Sequence, residues 1–218
     1  MTNTLAVPQL QAVLGRLFAA AAQDADRAAQ LPAGRTHATA SPLERADALA
    51  DFYIPISADA GRLLYALTRA SRPDTVVEFG TSFGISTIYL AAAVTDNGTG
   101  RVLTTELSST KVKAAQSNLA EAGVDGPVTI LAGDARQTLA DIQGPVGLVL
   151  LDGWKDLCLP VLRLLEPKLA PGALVAADDI DQAAMSDYLD YVRDPANGYV
   201  SVAFPVEDGM EISSWTGR

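Results

Sequence analysis

The chain has 218 residues, 49% of them hydrophobic and 19% charged, which suits one folded domain with a sizeable core and excludes a disordered polymer. A formal net charge of −10 repels a phosphate backbone, so nucleic acid is not an expected partner. One cysteine, Cys158, excludes an intramolecular disulfide and a cysteine-rich metal site, and no run of about 18 apolar residues is present to cross a membrane.

The first residues lack the basic region of a secretory signal, so a cytoplasmic protein without a membrane partner is expected. Leu10, Val13, Leu14, Leu17 and Phe18 recur at helical spacing and predict an amphipathic helix over residues 9–31. The stretch "LPAGRTHATASP" breaks the pattern with two prolines and a glycine. A second helix is predicted to start near Pro42, with Ser41 as its N-cap. A third lies in "SADAGRLLYALTRA", with Leu63, Leu64 and Leu67 on its apolar face. Residues 1–50 read as a helical extension, a cover for substrate or a dimer contact, and residues 51–218 as the main domain.

From residue 75 strands and helices alternate. The strands are "TVVEFG", "RVLTTEL", "VTILAG", "GLVLLD" and "GALVAADD", and each is followed by a helical segment. This spacing predicts an α/β fold with a doubly wound, mostly parallel sheet. The chain then changes character: "YVSVAFPV", "EDG" and "MEISSW" predict an antiparallel hairpin that completes seven strands.

Two groups of residues carry chemistry. The first is the turn "VVEFGTSFGIS", where Gly80 and Gly84 permit close backbone approach to a ligand. The spacing Gly-x-x-x-Gly is not that of a dinucleotide pyrophosphate loop, which counts against a nicotinamide-dependent oxidoreductase. Glu106 ends the second strand, where an acidic residue accepts ribose hydroxyls, and Asp134 and Ala135 follow the third strand, where the cleft would reach an adenine edge. Each piece alone also fits plain scaffolding; together they resemble the S-adenosylmethionine cleft of class I methyltransferases. The resemblance implies cofactor contacts from Glu78, Gly80, Thr81, Ser82, Gly84, Ser86, Glu106, Asp134 and Ala135.

The second group is "LLDGWKD" with "AADDI". Asp152 and Asp178 end the fourth and fifth strands, and Asp179 adjoins. If those strands are neighbours, three carboxylates converge and repel one another unless a cation is present, and an oxygen donor set suits Mg²⁺ or Ca²⁺. His37 is the sole histidine, which counts against a zinc site. Lys155 would act as general base, its pKa lowered by the cation. The alternative is that these aspartates are helix caps, that the methyltransferase needs no metal, and that His37 is the base.

"LDGWKDLCLP" and "LAPGALVAADDI" are similar to the cation-dependent catechol O-methyltransferase family over roughly residues 50–215. The resemblance implies Asp152, Asp178 and Asp179 as ligands of Mg²⁺ (or Mn²⁺ or Ca²⁺), Lys155 with Asp152 as the catalytic pair, and a catechol-like hydroxylated small molecule as acceptor. It implies further that Ile56 and Ser57 meet the cofactor's methionine end, that Asp152 and Trp154 adjoin its adenosine, and that the enzyme is a homodimer. This sequence departs from that family in having Asp178-Asp179 where Asp-Asn is frequent and Gly153 where animal enzymes carry a larger residue, which implies looser packing near the adenine.

Overall fold

The computed structural model describes residues 3–29 and 40–217. His37 lies outside the described residues.

The predicted helix over 9–31 is, within the described residues, two helices, α1 (Pro8–Ala21) and α2 (Asp24–Ala29); residues 30 and 31 lie outside them. The reason is burial. α1 sinks Leu10, Val13, Leu14 and Leu17 into the core, whereas α2 buries no residue. Asp24 at the start of α2 is used otherwise: its carboxylate accepts the Tyr53 and Ile54 N–H groups at 2.8 and 2.9 Å. The second helix, α3 (Pro42–Ala48), begins as expected at Ser41. Ser41 Oγ accepts the Glu44 N–H, and Glu44 accepts the Ser41 N–H in return, with proline at the first helical position. α4 (Ala58–Ser71) is capped by Ser57 and buries Ala60, Gly61, Leu64 and Thr68.

The strands are β1 (Thr75–Phe79), β2 (Arg101–Glu106), β3 (Val128–Ala132), β4 (Val146–Leu151), β5 (Leu169–Asp178), β6 (Tyr199–Phe204) and β7 (Met210–Trp215). They form one seven-stranded sheet in the order β3-β2-β1-β4-β5-β7-β6. β1 to β5 pair in parallel, and β7 joins β5 and β6 antiparallel, so the predicted sheet and its terminal hairpin are both present. The crossover helices are α5 (Ile85–Asn97), α6 (Ser109–Ala122), α7 (Ala135–Thr138), α8 (Cys158–Leu165) and, ahead of the hairpin, α9 (Ser186–Arg193). Pro160 is tolerated in α8 because it lies in the first turn, where backbone N–H groups have no intrahelical acceptor.

Every residue of β1 is buried. One face of the sheet packs on α1, α4 and α5, and the other on α8 and α9. Strand order reverses between β1 and β4, and in such sheets the crevice beyond the carboxyl ends at that point takes the ligand. Among the described residues, no helix is long and apolar enough to cross a membrane.

Candidate active site

The loop after β1 is hung on Glu106. One carboxylate oxygen accepts the Ser82 N–H at 2.8 Å and the other the Ser108 N–H at 2.7 Å. Gly80 has φ +106°, and a Cβ there would lie 2.6 Å from the Asp152 carbonyl oxygen, so the loops after β1 and β4 touch at the switch point. Gly84, at φ +87°, opens α5. Gly153 is needed on the other side: a Cβ there would lie 2.4 Å from the Phe79 ring. The looser packing expected at Gly153 is therefore not found, because Phe79 fills the space.

Glu78 is fully buried and accepts hydrogen bonds from Ser86 Oγ (2.6 Å) and Thr87 Oγ1 (2.5 Å). It sits under the first turn of α5 and not on the cleft wall, whereas Ser86, which bonds it, is on that wall. Burial pushes its pKa up to about 7, against the pull of the Ser86, Thr104 and Thr87 hydroxyls. Between the ordinary carboxylate range and pH 7 the folded protein then holds a proton that the unfolded chain has released. Stability contributed by this group falls as pH rises through that window. Glu78→Gln removes that share, so the loss of urea midpoint between pH 5 and 7.5 is expected to be smaller than in wild type; an unchanged loss would contradict the assignment.

The cleft encloses about 450 Å³. Of the residues singled out from sequence, Ile56, Gly80, Thr81, Ser82, Ser86, Glu106, Asp134, Ala135, Asp152, Trp154 and Lys155 line it. Ser57, Glu78, Gly84, Asp178 and Asp179 do not: Ser57 caps α4, and its N–H donates to Glu207 at 2.6 Å. The Asp134 carboxylate caps α7 through the Arg136 N–H and pairs with the Arg136 side chain, whose hydrogen bond holds its pKa below the usual value. α3 forms part of the wall with Pro42, Arg45, Ala46 and Ala48. The Arg45 guanidinium lies 4.6 Å over the Trp154 ring and grips Asp156 with two hydrogen bonds. Tyr53 and Phe83 stack in the wall with centroids 3.9 Å apart, whereas Phe52 is buried.

The acidic cluster adjoins this cleft. Oxygens of Asp152, Asp178 and Asp179 lie within 4.8 Å of one another. β4 and β5 are paired neighbours, which brings the two strand ends together. In an extended strand Asp178 and Asp179 would point to opposite faces. Asp179 instead adopts φ +57°, a left-handed conformation uncommon for aspartate outside turns, and both carboxylates converge. Gln182, on the cleft wall, donates to Asp179 at 3.0 Å. The Lys155 Nζ bridges Asp152 (3.0 Å) and Asp179 (3.1 Å).

One ammonium thus stands against three carboxylates. Burial raises the Asp152 pKa, and burial together with the Asp152 charge pushes Asp178 up to about 8. Glu207, in the turn between β6 and β7, adds to both shifts. Burial acts to lower the Lys155 pKa, but the charges of Asp152 and Asp179 outweigh it and hold the amine above its ordinary value. The lowering expected from sequence is thus not produced by these residues alone. A hard divalent cation fits this donor set: three oxygens converge, burial and neighbouring negative charge hold Asp152 and Asp178 toward the neutral form, and the Lys155 ammonium between Asp152 and Asp179 shows that the cluster draws a cation.

Residues 77–180 match a family model described as "Methyltransferase domain". Catechol O-methyltransferase B from Danio rerio is 30% identical over 173 residues, covering 73% of this chain and 64% of that protein. Catechol O-methyltransferase from Mycobacterium tuberculosis (strain ATCC 25618 / H37Rv) is 32% identical over 148 residues, covering 67% of this chain and 66% of that protein. The chain therefore spans just under two thirds of the length of these relatives. The solved structure of the O-methyltransferase TomG from Streptomyces achromogenes, in complex with SAM, superposes with a TM-score of 0.66 at 25% identity, covering 92% of this chain and 99% of that one. Over the matched residues the chain is similar to class I, catechol O-methyltransferase-like O-methyltransferases. In this chain the glycine loop, Glu106 and the β4–β5 aspartates all lie at the carboxyl edge of one sheet, on either side of its switch point.

Sequence reasoning missed Arg45, Lys111 and Glu207. Each faces the site from a segment whose own pattern says only helix or turn, and no local signal marks them.

Proposed function

We propose that the protein transfers the methyl group of S-adenosylmethionine to a hydroxyl of a catechol-like small molecule, with a divalent cation, Mg²⁺ in the first instance, held by Asp152, Asp178 and Asp179. The observation that carries this reading is the meeting, beside one cleft, of an adenosine-type wall (Glu106 and the Gly80–Gly84 loop) and a lysine-bridged carboxylate triad.

The residues divide the work. Glu106, fixed by two backbone N–H groups, presents its remaining lone pairs to the ribose hydroxyls. Trp154, backed by Arg45, walls the adenosine side, and Ile56 lies toward the methionine end. The bound cation would act as a Lewis acid, making a substrate hydroxyl more acidic. Lys155, anchored between Asp152 and Asp179, would take that proton as the neutral amine, after the cation's charge has lowered its pKa and its own proton has gone to solvent. Once oriented and deprotonated, the oxygen attacks the sulfonium methyl in line, the S–CH3 bond breaks and the sulfur leaves as the neutral thioether of S-adenosylhomocysteine; most of the rate comes from positioning and charge.

Transfer from radiolabelled S-adenosylmethionine to catechol tests the reading. Thorough chelation is expected to cut the rate at least about 100-fold, with Mg²⁺ restoring it. Activity that survives chelation would overturn the cation's role and favour the metal-free reading.

A further inference from the structure

Lys111 is a buried cation that the chemistry above does not use. It lies in the first turn of α6, on the face that also buries Ala115, Asn118 and Leu119, and the residue is only 7% exposed. Its side chain lines the cleft, with the ammonium 5.8 Å from the centroid of the Phe83 ring. Among the described residues the ammonium makes no hydrogen bond or ion pair. Three carboxylates, Glu106, Asp24 and Asp152, reach it through charge without contact. The ammonium tip is not sealed off: it reaches the cleft, so its hydrogen-bond acceptor has to come from what fills the cleft. A ring face holds a cation weakly by comparison.

Beside it stands the opposite case. Glu106 is locked by the Ser82 and Ser108 N–H groups and still has accepting capacity toward the cleft. A carboxylate only accepts hydrogen bonds and an ammonium only donates them. A pair of neighbouring hydroxyls, each of which donates one and accepts two, satisfies both at once. A phosphate or carboxylate would meet Lys111 but be repelled by Glu106. We propose that Lys111 donates a hydrogen bond to the ribose diol of the adenosyl cofactor, whose hydroxyls donate to Glu106; this rests on the cofactor reading above. Lys111 is then a cofactor-binding residue on the donor side of the diol, waiting over Phe83 when the cleft is empty.

The test titrates three probes into wild type and Lys111→Met by calorimetry: S-adenosylhomocysteine, its 2′,3′-dideoxy counterpart, and 5′-methylthioadenosine. Lys111→Met is expected to bind S-adenosylhomocysteine about 10-fold more weakly, as for one lost charged hydrogen bond. The same loss is expected with 5′-methylthioadenosine, which keeps the diol and lacks the amino-acid end, and none with the dideoxy probe. Lys111→Gln, which keeps a donor, is expected to lose less than Lys111→Met. An equal loss with the dideoxy probe, a loss that disappears with 5′-methylthioadenosine, or no loss at all overturns the inference. Wild type that binds none of the three overturns the cofactor reading itself, which separates that failure from a failure of Lys111.

Discussion

Lys155→Met is expected to lower kcat for methyl transfer by about 10²–10⁴-fold, the range for removal of a positioned general base, with the affinity for S-adenosylhomocysteine nearly unchanged. The lysine touches Asp152 and Asp179 at 3.0 and 3.1 Å, not the Glu106 wall, so cofactor binding should not register its loss. Stability should register it. The ammonium is the cation bridging this cluster, and breaking a buried pair by removing one partner costs about 3–5 kcal/mol because it leaves an uncompensated charge. The same crowding predicts a rescue: with its lysine gone, the variant should gain more thermal stability from Mg²⁺ than wild type does, since the ion then supplies all of the missing charge. Steady-state kinetics and melting curves with and without Mg²⁺ check both halves. A variant with wild-type kcat would remove Lys155 from the chemistry, and a variant that melts like wild type and ignores Mg²⁺ would remove it from the cluster's charge balance.

Gly80→Ala is expected to be among the most damaging single-methyl additions in the chain. Two costs combine. The backbone stands at φ +106°, which an L side chain resists by about 1–2 kcal/mol. The added Cβ would also lie 2.6 Å from the Asp152 carbonyl oxygen, and overpacking of that kind costs about 1–3 kcal/mol. The atom in the way is backbone of the β4 loop, so relief displaces Asp152 and Gly153, and with them the wall of the cleft. Gly84→Ala provides the contrast: it has φ +87° but meets nothing nearer than the Ala115 Cβ at 3.5 Å, so only the first cost applies. Urea midpoints should rank wild type above Gly84→Ala and Gly84→Ala above Gly80→Ala, and only Gly80→Ala should weaken S-adenosylhomocysteine binding strongly. Equal effects of the two would show that the contact between the two loops does not matter.

Much of the site was readable because this fold places chemistry at strand ends. An apolar run that stops on Asp152, another that stops on Asp178, and a glycine turn after β1 each mark a carboxyl edge, and parallel neighbours bring those edges together. Parity was harder. β1 is buried on both faces, so its pattern does not tell which way Glu78 points, and it points under α5 and not into the cleft. The break between α1 and α2 was invisible because Asp24 is committed to amides near residue 53, a tertiary use that no local period encodes. Arg45, Lys111 and Glu207 were missed for the same reason: Arg45 meets Asp156, and Glu207 meets Ser57 across 150 residues of chain. Gly153 was noticed, but its purpose, room for the Phe79 ring, required the structure.

The most direct measurement is a calorimetric titration of S-adenosylhomocysteine followed by catechol, with and without Mg²⁺, on wild type and on Asp152→Ala/Asp178→Ala. The cofactor product is expected to bind both proteins under both conditions, and catechol to bind only wild type with Mg²⁺ present. Catechol binding that ignores both the ion and the substitutions would mean that these aspartates are strand ends and helix caps, and the cation-dependent site would have to be abandoned.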